Sequence, residues 1–292
     1  MENGASNSPS QPTLRRILYQ YPTTVFFGLT LLLSWSWWAI AYFLITSGDL
    51  SDALALPGAF GPSLAAALLT WALNDDLRGW AAQIVHWRVP VRWYVIPIVL
   101  PLVLTIGGVG SALLLTGAAL DFSLLTQRIS VFPLLLLFTL LLGGGQEEPG
   151  WRGFALPRLQ TSYSGFVASL IIGGVWATWH LPLFFMGAPR NQTGNFLLYF
   201  FLVLGVSVLI SWCYNETGGS VLIAMLFHAA VNTSGSLLPI QQDTASEWAL
   251  IIDLGSIIAV WIGVLAVLWW SSPDTLSRKG IPDPVTAGVE TD

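Results

Sequence analysis

The residues able to do chemistry are few and fall in three places. The first is Gly143-Gly144-Gly145-Gln146-Glu147-Glu148-Pro149-Gly150-Trp151-Arg152-Gly153, which follows an uncharged apolar run from Val131 to Leu142. The second is Trp176-Ala177-Thr178-Trp179-His180, and the third is His228-Ala229-Ala230-Val231-Asn232. Each sits at or inside an apolar stretch of membrane length. An ionised side chain at the centre of a membrane helix costs roughly 2.5–3.5 kcal/mol on insertion scales, so those that persist at depth mark function by default. Carboxylate, neutral imidazole and carboxamide form a hydrolytic set: a base to activate water and donors to hold an oxyanion.

Spacing refines this. Adjacent helical residues point about 100° apart, so Glu147 and Glu148 need not share a role. Glu148 and Arg152 stand at i, i+4, where a carboxylate and a guanidinium meet on one helix face. Pro149 disfavours helical backbone at Glu148, and the glycines before it weaken a regular helix, which predicts a break or kink there. Irregular backbone at membrane depth survives only where it is buried in protein or lines a wet cavity. The plainer alternative is a juxtamembrane Glu–Arg pair on a loop. His228 and Asn232 also stand at i, i+4. That pair and His180, each taken alone, admit a structural reading as polar contacts between helices. Two of the three histidines lie inside spanning segments, which favours the joint reading.

The elements that must position these residues are membrane helices. Of the 292 residues, 54% are apolar and 9% charged, and mean hydropathy is +0.68. A soluble domain carries about 25% charged residues, so this chain is built for lipid. The 15 tryptophans suit interface belts and helix packing. One Lys, with no basic cluster beyond Arg15-Arg16 and Arg278-Lys279, argues against a nucleic-acid partner. Cys213 is alone, which excludes an intramolecular disulfide and a cysteine-based metal site. The first apolar run, about 25 residues, is too long for the h-region of a cleavable signal peptide.

Hydropathy places eight segments near 22–46, 55–73, 93–119, 130–148, 164–185, 195–214, 219–238 and 248–270. Segment two is broken by Pro57-Gly58 and Gly61-Pro62, and the stretch Asn74 to Arg92 has the spacing of a short interfacial amphipathic helix. The expected architecture is thus all-α: a polytopic bundle of about eight transmembrane helices over 21–271. A polar lead-in over 1–20 precedes it and a disordered cytoplasmic tail over 272–292 follows. With both termini cytoplasmic, nine of the eleven basic residues fall inside and two, Arg128 and Arg190, outside, as the positive-inside rule requires. The Glu147-Glu148 end of segment four is then cytoplasmic. Asp253, inside segment eight, is expected to reach the interface or pair with a neighbour. No internal repeat of the kind that marks inverted-repeat transporters is visible.

Together the motifs resemble those of the CPBP family, the CAAX-protease and bacteriocin-processing intramembrane proteases. The Glu-Glu-x-x-x-Arg motif is met by Glu147, Glu148 and Arg152. Phe-x-x-x-His is met at His180 with Trp176 in place of Phe, and His-x-x-x-Asn/Asp by His228 and Asn232. The likeness spans roughly residues 55–240. It implies an eight-helix multi-pass protein of the cell membrane with a cavity open to the cytosol. It implies endoproteolysis with a glutamate base rather than a Ser or Cys nucleophile. By position, Glu147 and His180 would activate water, His228 and Asn232 would bind the oxyanion, and Glu148 and Arg152 would support them. Sequence does not separate Glu147 from Glu148 as the base. No cofactor is the expectation, but two His and a Glu are also a catalytic zinc set, so a zinc form on Glu147, His180 and His228 stays open. The implied partners are the lipid bilayer and a peptide or protein substrate, lipid-modified in one form. The competing reading is a non-catalytic membrane interaction or immunity protein of the same fold, which would be free to lose one of these groups.

Overall fold

A computed structural model describes residues 13–45, 52–116, 122–123, 125–187, 193–237 and 242–283. Every regular element among the described residues is helical. The order is α1 (Thr13–Gln20), α2 (Pro22–Ile40), α3 (Asp52–Ala59), α4 (Gly61–Ala72), α5 (Leu77–Ile84), α6 (Arg92–Thr116) and α7 (Leu125–Leu142). Then come the short α8 (Glu148–Gly150), α9 (Leu156–Gln160), α10 (Gly165–Trp179), α11 (Leu181–Phe185), α12 (Phe196–Glu216), α13 (Val221–Ser234) and α14 (Gln242–Trp270).

Seven stretches among the described residues are long and apolar enough to cross a bilayer. They are Pro22–Phe43, Leu54–Ala72, Arg92–Leu115, Leu125–Gln160, Gly165–Phe185, Phe196–Glu216 and Trp248–Trp270. Val221–Leu237 is a shorter apolar helix and completes the expected bundle of about eight.

Starts follow local chemistry. Asp76, Ser164, Asn195 and Ser220 cap α5, α10, α12 and α13 by accepting hydrogen bonds from first-turn N–H groups. The amphipathic helix expected between Asn74 and Arg92 is α5; it stops at Ile84, short of Pro90, whose ring disfavours helix in the residue before it. The broken second segment is α3 followed by α4, with Pro57 inside α3. Partners from α2 meet this region: the Ser34 hydroxyl donates to the Gly58 carbonyl (2.7 Å) and the Trp38 indole to the Ala55 carbonyl (2.8 Å). Buried backbone acceptors are thereby satisfied where a proline disturbs the helix.

Helices α10 and α12 pack closely, as do α6 and α14, with α13 against α6 and α7. At Gly173 a Cβ would stand 3.0 Å from the Ser207 Cβ and 3.1 Å from the Leu204 Cα, so glycine sets the approach of α10 to α12. The core is heavily aromatic, with Trp38, Trp151, Trp179, Phe26, Phe154 and Phe227 fully buried. Leu114, Leu134, Phe43 and Trp269 are exposed, as expected of side chains that face lipid.

Three expectations need correction. Segment four does not end at Glu148. The apolar helical stretch runs from Leu125 to Gln160, so the two carboxylates lie within it rather than at its end. Its break comes earlier, at Gly143–Gly144, and Pro149 is accommodated because it sits in the first turn of a new helical segment, where its missing N–H costs nothing. The tail, expected to be disordered, is packed through residue 283. The Gly165 and Phe166 N–H groups donate to the carbonyls of Asp274 (2.6 Å) and Pro273 (3.0 Å), Asn215 Nδ2 donates to the Thr275 carbonyl (2.7 Å), and Leu276 is fully buried. The tail thus satisfies orphan donors at the start of α10, which no reading of local polarity shows. In the lead-in, Thr13–Gln20 is helical. Residues 1–12, 284–292 and the outer-loop residues Arg190 and Asn191 lie outside the described residues.

Asp253 pairs as expected: Thr193 donates to its Oδ2 from the backbone N–H (3.0 Å) and the hydroxyl (2.7 Å).

Candidate active site

The site is built on the break after α7. Gly143 N–H closes the last turn on the Thr139 carbonyl (3.0 Å). Gly144 then turns at φ 137°, a region open to glycine and strained for any other residue. A 3₁₀ turn over Gly145–Glu147, α8, a π turn over Trp151–Ala155 and α9 carry the chain onward. So irregular a backbone needs outside partners. The Ser63 hydroxyl donates to the Gln146 carbonyl, the Trp80 indole to the Pro149 carbonyl (3.1 Å) and the Gln83 amide to the Gly153 carbonyl (3.4 Å). Helices α4 and α5 therefore clamp the segment that carries both glutamates.

The two carboxylates have different surroundings. Glu148 is fully buried. Arg152 Nη1 donates to both its oxygens (2.9 and 3.2 Å), and His228 Nδ1 lies 2.7 Å from Oε1. Arg152, also fully buried, donates through Nη2 to the Ser207 hydroxyl (2.9 Å) and carbonyl (3.2 Å) on α12, and lies over the Trp176 ring. The i, i+4 pair read from sequence is real, but it is buried in the bundle and not on a loop. Glu147 accepts instead from indoles: Trp176 Nε1 at 2.8 Å and Trp151 Nε1 at 3.4 Å, both on Oε2. Among the described residues no hydrogen bond reaches its Oε1.

His180 caps the end of α10, where Pro182 follows. Its Nδ1 lies 2.9 Å from the Trp176 carbonyl oxygen, which can only accept, so Nδ1 carries the proton and neutral imidazole presents Nε2 as an acceptor. In His228, Nδ1 faces the Glu148 carboxylate, so Nε2 is turned the other way. Asn232 Nδ2 donates one proton to the Gly143 carbonyl (2.7 Å), and the amide has a second to give. A Cβ on Gly144 would stand 2.5 Å from Asn232 Nδ2 and 2.6 Å from His228 Nε2. Both nitrogens therefore converge on the face of Gly144 that lacks a side chain. Trp176 links the parts: its ring packs edge-on to His228 (4.8 Å between centroids) and lies 6.0 Å from His180.

Glu148, Arg152, His228 and Asn232 meet around this break, and Glu147 and His180 join them through Trp176. Sequence reasoning missed Ser207, Trp151 and the hydrogen-bonding role of Trp176. A lone Ser in an apolar helix carries no signal, whereas Trp151 follows Glu147 at i, i+4 and was legible in principle. Among the described residues no three His, Cys, Asp or Glu side chains, Glu147, His180 and His228 included, are grouped as a metal ion needs.

Residues 129–234 match the family described as Rce1-like, type II CAAX prenyl endopeptidases. That range holds Glu147, Glu148, Arg152, His180, His228 and Asn232. The chain is also 30% identical to "CAAX prenyl protease 2" of Methanococcus maripaludis over 268 residues, which covers 85% of this chain and 94% of that protein. A bundle of apolar helices with a buried carboxylate–imidazole site, aligned over most of its length with such a protease, belongs to the Rce1-like CAAX prenyl endopeptidase family and is an intramembrane endopeptidase.

Proposed function

We propose that this multi-pass membrane protein hydrolyses a peptide bond with a water activated by Glu147 and His180, and that Asn232 and His228 hold the oxyanion. The observation that carries this reading is the convergence of Asn232 Nδ2 and His228 Nε2 on the bare face of Gly144, three residues before Glu147. A scissile carbonyl within reach of both nitrogens would meet two donors, provided His228 carries both protons between the Glu148 carboxylate and the developing oxyanion. The water gives its proton to Glu147 Oε1 and its oxygen bonds to the carbonyl carbon. Collapse of the tetrahedral species breaks the C–N bond, and the same proton goes to the leaving amine. His180 Nε2 accepts from the water and orients it. Glu148 and Arg152 act through His228 rather than on the substrate. Glu147 is favoured over Glu148 as the base because Glu148 is saturated by Arg152 and His228.

The substrate class follows the relative's printed name: a protein or peptide with a prenyl-modified cysteine near its C-terminus. The nine-to-two split of basic residues supports cytoplasmic termini. The cofactor proposal is none, supported by the lack of any grouping of three His, Cys, Asp or Glu side chains among the described residues.

The test is cleavage of peptides ending in Cys-aliphatic-aliphatic-X, with and without a prenyl group, by purified protein. Glu147→Ala is expected to abolish cleavage while a zinc chelator leaves it unchanged. Loss on chelation restored by zinc would move the chemistry to a metal, and full activity in Glu147→Ala would remove Glu147 as the base.

A further inference from the structure

The motif position that in the resembling family is Phe is Trp176 here, and an indole brings a donor that a phenyl ring lacks. That N–H is spent on the catalytic segment: Trp176 Nε1 lies 2.8 Å from Glu147 Oε2, and both residues are buried. The same side chain packs on His228, lies under Arg152, and through its carbonyl fixes the tautomer of His180. A second indole, Trp151, reaches the same carboxylate oxygen from one helical turn along the chain, at the longer distance of 3.4 Å. Two donors on one oxygen leave the other, Oε1, to face the reacting water. A carboxylate in an apolar bundle that lacked them would rotate freely about its last torsion and would be poorly compensated for its lost hydration.

We propose that Trp176, assisted by Trp151, is a positioning residue that locks the Glu147 carboxylate through Oε2 and presents Oε1 as the base. This rests on the reading of Glu147 as the base. A phenylalanine at 176 would keep the aromatic packing and lose the lock, which separates a donor role from a packing role.

Two readouts test it. In protein labelled with ¹⁵N-tryptophan, the Trp176 indole N–H signal is assigned as the one missing in Trp176→Phe. It is expected to move upfield in Glu147→Ala, because its acceptor is gone; an unmoved signal overturns the contact whether or not the enzyme is active on the chosen peptide. In peptide cleavage, replacing Trp176 by benzothienylalanine, which keeps the ring's shape and puts sulfur in place of N–H, is expected to lower kcat by about 10- to 100-fold, the worth of one hydrogen bond to a charged group, with KM within about twofold. Trp176→Phe should match it and Trp151→Phe should lose less. Wild-type kcat in the benzothienylalanine protein, alongside an inactive Glu147→Ala, would overturn the lock and leave Glu147 as the base. Equal loss in kcat and melting temperature for Trp176→Phe, without loss for benzothienylalanine, would assign Trp176 to packing. If Glu147→Ala cleaves normally, the lock falls together with the base.

Discussion

Adjacent carboxylates, identical in chemistry, are separated by what surrounds them. Glu148 is held by a guanidinium and an imidazole, and Glu147 by two indoles that, among the described residues, leave one oxygen uncommitted. Burial makes each contact matter, because an unpaired polar group away from water costs about 1–3 kcal/mol. The same scale shows why Gly144 is glycine. Its φ of 137° is costly for a side chain, and a Cβ would collide with Asn232 Nδ2 and His228 Nε2. Gly144→Ala is therefore expected to lower the rate of peptide cleavage by about 100-fold, the scale of a lost oxyanion donor. A kcat within twofold of wild type would show that the carbonyl binds elsewhere.

Between elements, Arg152 is the tie. It joins the irregular segment after α7 to α12 through Ser207, and through Glu148 to His228 on α13. Ser207 in turn donates to the Ser169 carbonyl on α10 (2.8 Å), so one chain of bonds crosses four elements. Breaking a buried ion pair by removing one partner costs about 3–5 kcal/mol, because the remaining charge is left uncompensated. Arg152→Met should thus lower the melting temperature in detergent far more than Ser207→Ala, which removes one hydrogen bond worth about 1 kcal/mol. Equal melting temperatures for the two variants would show that Glu148 finds another partner.

Across the whole molecule, orientation is the open consequence. Helix α10 runs 15 residues from Gly165 to Trp179. At 1.5 Å per residue, His180 stands about 22 Å from the arginine-rich end. Ser220, at the start of α13, is fully buried, while Asn232 at the site is exposed. With the termini in the cytoplasm the site would lie nearer the outer face, whereas the family resemblance implies access from the cytosol. Cys213 is fully buried, so introduced cysteines can be read alone. In intact cells a membrane-impermeant maleimide is expected to label Ser236→Cys and spare Ser162→Cys. The reverse pattern would put the termini outside and the site toward the cytosol.

Much of this was legible in the residues. Lipid residence and the helix count follow from apolar run lengths, and Glu147, His180, His228 and Asn232 stood out as polar groups too costly to keep at depth without use. Period-based reading failed where pairing is non-local. The chain breaks at Gly144 rather than at Pro149, because a proline in a first turn loses nothing while a positive φ needs glycine. The tail looked disordered by composition, yet its carbonyls meet α10. Which glutamate is free to act, and that two indoles hold it, was decided only when the helices packed, because hydrogen-bond partners at membrane depth come from whichever neighbour the fold supplies.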